Sequence, residues 1–368
     1  MAYGTINADR LTDSDGSVFS PSSAVFRNRI INGDMRISQR GYSTATSISN
    51  ATTTYTLDRW AVYEGTGGAI TVQQSATAPS GFSNSLAVVV TTANTSVPAD
   101  SVVQLSQSIE GLNTADLGWG TASAKTITLS FWVRSSNTGT FGGTVRGAST
   151  RSYPFSYAIS SVNTWEQKTV TIPGDTSGTW EVGTGTGLTL FYSLGCGTDF
   201  QGTANQWASA NYRTVSGEFQ LINVLNATWN ITGVQLEVGS VATPFERRDY
   251  GRELAMCQRY YYKTALLSAG VIAASAFAST TVGFSAFGSF PVRLRTNPSA
   301  LETSGTATDY QWNGAQTVTC NAVPTFSTRT SSDMWQANGG VSSGLTAGQG
   351  GSFVTPSGNG YMAWSAEL

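Results

Sequence analysis

The chain has 368 residues, 40% of them apolar and only 11% charged, with a formal net charge of −2 and no histidine. That is enough chain for two or three domains with their own cores. A near-neutral balance without clustered Lys and Arg argues against a nucleic-acid partner, and the lack of histidine excludes Ser-His-Asp and Cys-His catalysis.

Forty glycines, with Ser, Thr and Asn at most polar positions, favour turns and strands over helices. No apolar run approaches the ~20 residues of a bilayer span, so no membrane insertion is expected. The opening MAYGTINADRLTDSDG has no basic or apolar region, and a signal peptide is not expected there. Cys196, Cys257 and Cys320 have no metal-binding spacing and read as buried thiols. No metal or other cofactor is expected.

Residues 1–27 are short of large apolar side chains and read as either a mobile tail or an arm that orders on a partner. Asp9, Asp13 and Asp15 cluster there, but Ser20 stands where a calcium loop needs its twelfth-position Glu. Asn32-Gly33, between Ile30/Ile31 and Met35/Ile37, predicts a hairpin. Strands are then expected at 69–74, 85–92, 101–109, 126–134, 143–147, 153–159, 164–172, 188–194, 218–224 and 229–238. In TITLSFWVR, Ile127, Leu129, Phe131 and Val133 make one inward face, leaving Trp132 outward or against a second layer. LTLFYSL, residues 188–194, is apolar on both faces and is predicted to be a central strand.

At GVQLEVGSVATPFERRDYGRELAMCQRYYYK the period changes from two to that of a helix. Val234, Leu236 and Val238 predict a half-buried strand. Tyr250, Leu254, Cys257 and Tyr261 predict one helical face, with Asp249 as N-cap. Beyond it, residues 264–368 alternate again and end on YMAWSAEL, with Met362, Trp364, Ala366 and Leu368 on one face. The predicted fold class is all-β: a β-sandwich over 28–248, a linking helix over 249–263 and a smaller distal β-sandwich over 264–368.

Three patches carry a resemblance. QLSQSIEGL, TITLSFWVRSS and TWEQKTVTI resemble the jelly-roll sandwiches of carbohydrate-binding modules. FRNRIINGDMRISQRG with YTLDRW, and ITGVQLEVGSVATPFERRDYGRELAMCQRYYYK, resemble tail-fibre and receptor-binding proteins of tailed bacteriophages. MAYGTINADRLT is similar to the start of fibre proteins of cyanophages. The resemblance implies a homotrimeric virion tail protein, assembled in the host cytoplasm. It also implies that the N-terminal arm meets other tail or baseplate proteins. The function it implies is adsorption to a host surface glycan without catalysis. The alternatives are a glycan-cleaving tailspike and a purely structural fibre.

Sugar rings present apolar C–H faces on which aromatic side chains stack, within a polar rim. Trp119 lies in a Gly-rich loop, and Trp207, Tyr212 and Arg213 lie in the polar loop NQWASANYRT. With the outward Trp132 they are the candidate ligand-binding residues, each set against the plainer reading of packing under its own loop. Trp60 and Trp165 are assigned to the core. Asp175, Glu181, Asp199 and Glu218 read as solvated turn residues rather than a catalytic pair, and no catalytic residue is expected.

Overall fold

The computed structural model describes residues 11–12, 18–19, 26–49, 51–147, 150–264 and 271–368. The arm and its aspartates lie almost wholly outside them. The described chain divides into two compact β units, one up to Asp249 together with Leu368 and one over Tyr250–Glu367.

The first unit is a two-sheet sandwich of jelly-roll type. In chain order its strands are β1 (Thr46–Ile48), β2 (Thr54–Tyr55), β3 (Ala61–Glu64), β4 (Ala69–Ser75), β5 (Ser85–Thr92) and β6 (Val102–Glu110). They continue with β7 (Ile127–Ser135), β8 (Gly139–Gly147), β9 (Arg151–Ile159), β10 (Glu166–Ile172), β11 (Thr186–Cys196), β12 (Ala208–Ser209) and β13 (Thr228–Val238). One sheet has seven strands in the order β12-β9-β8-β11-β6-β3-β2, and the other has six in the order β10-β7-β13-β5-β4-β1. Each pairing is antiparallel, so period-two side chains alternate between the core and the outer faces. Leu129, Phe131 and Val133 from the six-stranded sheet meet Leu105, Phe141, Leu190 and Tyr192 from the seven-stranded one. The Phe131 ring sits edge-on to both Tyr157 and Tyr192, each at 5.0 Å, and so joins the two sheets.

Three expectations change. Asn32-Gly33 does not connect paired strands. The Asn32 side chain instead accepts from the Ile37 amide at 3.0 Å and donates to the Ile37 and Asp58 carbonyls. The side chain thus replaces a ladder, and Asn32 takes a left-handed φ of 57°. Gly33 is required by proximity, because a Cβ there would lie 2.2 Å from the Val234 carbonyl oxygen. Residues 218–224 form no strand but a single 3-10 turn at Leu221–Asn223.

The third change concerns β13, which is buried on both faces. Gln235 and Glu237 are as inaccessible as Val234 and Leu236. The chain folds back over them: Glu237 accepts from the Thr243 amide and hydroxyl, and Gln235 accepts from the Glu246 amide at 2.7 Å. These bonds remove the desolvation cost that buried polar side chains otherwise carry. Arg248 donates to the Ile30 carbonyl at 3.1 Å and to that of Asn28. It is therefore part of the first unit's own closure.

The second unit opens with α1 (Tyr250–Gln258), which ends before Tyr261. Its buried residues are Glu253 and Cys257: Cys257 lies on the expected face, Glu253 is buried in place of Leu254, and Tyr250 is exposed. The strands are β14 (Tyr261–Lys263), β15 (Val271–Ala278), β16 (Gly283–Ser289), β17 (Glu302–Thr303), β18 (Gln311–Asn313), β19 (Thr317–Thr319), β20 (Thr325–Phe326), β21 (Met334–Gly340), β22 (Gly350–Thr355) and β23 (Met362–Ser365). They form a three-stranded sheet, β14-β23-β17, and a seven-stranded sheet, β19-β18-β22-β15-β16-β21-β20. Their shared core joins Met362 and Trp364 to Phe284, Phe290, Trp312, Trp335 and Phe353.

Trp364 is fully buried at the centre of this core, 4.8 Å from the Trp335 ring and 5.5 Å from the Phe290 ring. Its strand is paired on both sides, so the core cannot close over a lost indole without breaking a ladder. Trp364→Ala is expected to cost roughly 3–5 kcal/mol of the second unit's stability. Denaturant titration followed by tryptophan fluorescence checks this, and a loss below about 1 kcal/mol would place the side chain outside the core.

Candidate functional site

A cleft of about 390 Å³ lies on the outer face of the seven-stranded sheet. Alternation puts its lining there. On β6, Val103, Leu105 and Ile109 face the core while Gln104, Ser106 and Ser108 face out. On β11, Leu188, Leu190 and Tyr192 face the core while Thr189 and Phe191 face out. Register aligns these residues in rows across the sheet. Arg146, Thr189 and Ser108 form one row, and Phe191, Ser106 and Ala61 form the next. Tyr63 stands opposite Gln104. The Ser108 and Thr189 hydroxyls bond to each other at 3.0 Å.

Two cations face this floor. The Arg213 guanidinium lies 4.4 Å from the centre of the Phe191 ring and that of Arg146 lies 5.7 Å from it. Burial lowers the pKa of Arg146. Burial and the neighbouring Arg146 charge together lower that of Arg213 to about 10. Two lining atoms, Gln104 Oε1 and Arg213 Nε, are buried without a hydrogen-bond partner among the described residues. The lining hydroxyls and guanidinium groups offer a polyhydroxylated ligand donors and acceptors. Among the described residues, no cluster of His, Cys, Asp and Glu has the makings of a metal site.

The five residues singled out from the sequence do not converge. Arg213 lines the cleft. Tyr212 is half-buried, with its ring where a Cβ on Gly202 would stand. Trp132 is half-buried on the opposite sheet, where β7 pairs with β10 and β13. Trp119 is 7% exposed, and its ring packs edge-on against Trp180 at 4.7 Å and Trp207 at 5.3 Å. The indole N–H of Trp119 donates to the Lys125 carbonyl, and that of Trp207 to the Pro173 carbonyl. Trp119 is therefore corrected from a sugar-stacking candidate to a core residue, since its loop folds over it. Trp60 is fully buried as expected, whereas Trp165 is only half-buried.

Two carboxylates also differ from the solvated turn residues expected. Asp175 accepts two hydrogen bonds from Arg151, at 2.6 and 2.7 Å, the fork geometry of a strong ion pair. Glu218 is buried; it accepts from Ser193 at 2.6 Å and also from Thr214. The cleft residues that sequence reasoning missed are Tyr63, Gln104, Ser106, Ser108, Arg146, Thr189 and Phe191. Their signal was an outward polar phase shared by β6 and β11, with an arginine inside the Gly-rich β8.

No family model matches the chain, and no curated protein matches it. Among solved structures it is similar to the enzymatically active domain of tailspike protein 4 of bacteriophage CBA120, at 12% identity and a TM-score of 0.30. That match covers 58% of this chain and only 21% of the tailspike chain. It is also similar to the family 11 carbohydrate-binding module of a Clostridium thermocellum cellulosomal cellulase, at 14% identity and a TM-score of 0.26, covering 53% of this chain and 95% of the module. A third is the xylan-binding CBM22-1 domain of Paenibacillus barcinonensis, at 13% identity and a TM-score of 0.27, covering 54% and 97%. Likeness this loose carries no functional argument, which rests on the residues alone.

Glu218 provides a test of the electrostatics beside the cleft. Burial pushes its carboxyl from 4.5 up to about 7, against the lowering effect of its hydrogen bonds. Between those values the folded chain holds a proton that the unfolded chain has released. The stabilisation is therefore complete at low pH and is lost as pH rises through about 7, by up to ~3 kcal/mol. Denaturant midpoints from pH 5 to 8 should fall for the native chain, and the fall should be shallower for Glu218→Gln. Parallel curves for the two proteins would refute the assignment.

Proposed function

We propose that this protein is a tail fibre of a tailed bacteriophage that binds a host cell-surface glycan through the cleft on the seven-stranded sheet, without cleaving it. The observation that carries the binding reading is a cleft floored by outward strand side chains, Gln104, Ser106, Ser108 and Thr189, with Arg146 and Arg213 facing it beside Phe191. Rigid strands hold such a floor in one geometry, so little ordering entropy is lost when a sugar is bound. The hydroxyls of Ser106, Ser108, Thr189 and Tyr63 supply further hydrogen bonding, and the half-buried Tyr63 ring offers an apolar face. Binding without hydrolysis is supported by the arginines standing where a glycosidase would need two carboxyl groups about 5–9 Å apart. The fibre assignment rests on the sequence patches quoted above. With it come residence in the virion tail after assembly in the host cytoplasm, and attachment to other tail or baseplate proteins through the N-terminal arm.

Three measurements test this. On an array of bacterial surface glycans the native chain is expected to give discrete hits. Ser106→Trp, which fills the cleft from its floor, should weaken them at least ~tenfold, about 1.4 kcal/mol. Gln104→Ala serves the same purpose by deleting one unpartnered atom. Retained binding in both variants, with unchanged circular dichroism, removes the cleft from the reading. Reducing-sugar release from a bound polysaccharide would make the protein a tailspike instead. The homotrimer is checked by sedimentation velocity at micromolar concentration, where a lone monomer would overturn it.

A further inference from the structure

Several arginines of the first unit are neutralised: Arg29 lies against Asp116, Arg36 against Asp34 and Arg151 against Asp175. Arg146 and Arg213 are different. Among the described residues neither forms an ion pair. Arg146 donates only to neutral acceptors, the Gly147 carbonyl and the Asn211 side chain. The Arg213 side chain donates to no described residue, and its Nε is buried. Both guanidiniums gather at one ring, Phe191, so each is desolvated beside a like charge. The buried carboxyl of this region, Glu218, is engaged by Ser193 and Thr214. Two half-buried cations left unneutralised at a cleft mark a place for an anion, and planar guanidinium forks suit carboxylate and sulfate oxygens.

We infer that the cleft takes an acidic sugar, whose carboxylate or sulfate group is held by Arg146 and Arg213 over Phe191 while the serine and threonine hydroxyls take up the ring hydroxyls. This rests on the glycan-binding reading and deepens it by naming the substrate class. An oxyanion between the two guanidiniums relieves their mutual repulsion, which a neutral sugar does not.

The test is titration calorimetry of the full chain with paired probes. Oligogalacturonate is set against its carboxyl-reduced form, and κ-carrageenan oligosaccharide against its desulfated form. At least one acidic probe is expected to bind ~tenfold or more tighter than its neutral counterpart, and to weaken as salt rises towards about 0.5 M. The pair that shows the preference tells carboxylate from sulfate. Arg146→Gln and Arg213→Gln should each erase most of the preference. Arg213→Lys, which keeps the charge but loses the fork, should keep part of it and covers the case in which the glutamine variant does not fold. Equal binding of acidic and neutral probes overturns this inference and leaves the glycan-binding cleft standing. Acidic binding that survives in all three variants also overturns it. A blank glycan array together with no binding of any probe removes the underlying reading.

Discussion

Strand β11, Thr186–Cys196, is the constraint on which the first unit turns. It is the central strand of the seven-stranded sheet, and nearly every residue in it is buried. A strand buried on both sides has to satisfy two environments at once. Its inner set, Leu188, Leu190, Tyr192 and Leu194, fills the space between the sheets. Its outer set, Thr189, Phe191 and Ser193, has no second sheet to pack on. Phe191 is covered by arginines, and Ser193 by Glu218. The cleft is what remains of that outer face, and its chemistry follows from which side chains happen to cover a strand that cannot be left bare.

The same requirement recurs at β13. The side chains facing away from the core there are Gln235 and Glu237, and the chain returns as residues 243–246 to bond them. Asn28 and Arg248 continue the pattern. The Asn28 side chain accepts from the Leu236 amide at 3.0 Å, and the buried Arg248 holds the Asn28 and Ile30 carbonyls. Buried polar groups with partners fix one register, because a slip of one residue would leave each of them unpaired. The cleft differs in another way: its two half-buried arginines, Arg146 and Arg213, face one ring without a carboxylate partner among the described residues.

Aromatic residues in polar loops were a poor guide to this site. A tryptophan in a Gly-rich loop has two physical outcomes: the indole stands in water, or the loop folds over it. The second needs a partner for the indole N–H, and backbone carbonyls of Lys125 and Pro173 provide it for Trp119 and Trp207. Once those bonds exist, burial of the ring favours a cluster with Trp180 and Tyr153. Loop composition does not distinguish these outcomes, because the deciding carbonyls lie elsewhere in the chain for Trp207 and across a turn for Trp119.

Local pattern alone determined the all-β class, the approximate positions of most sandwich strands, the centrality of residues 188–194 and the burial of Trp364. Each depends on period-two alternation or on an unbroken apolar run, which a strand must have wherever it is placed. The helix was visible and Cys257 is buried as expected, but Glu253 is buried in place of Leu254, since the face that is buried depends on what packs against it. The strand expected at 218–224 failed because Glu218 is drawn to Ser193 and Thr214, which are distant or off-pattern in the sequence. The cleft could only be decided by tertiary structure. Its lining comes from β3, β6, β8, β11 and the loop at Arg213, and only the pairing order of the sheet puts Arg146 and Arg213 at the same ring. Outward positions look alike in sequence whether they face water or each other, and register is the physical quantity that separates the two.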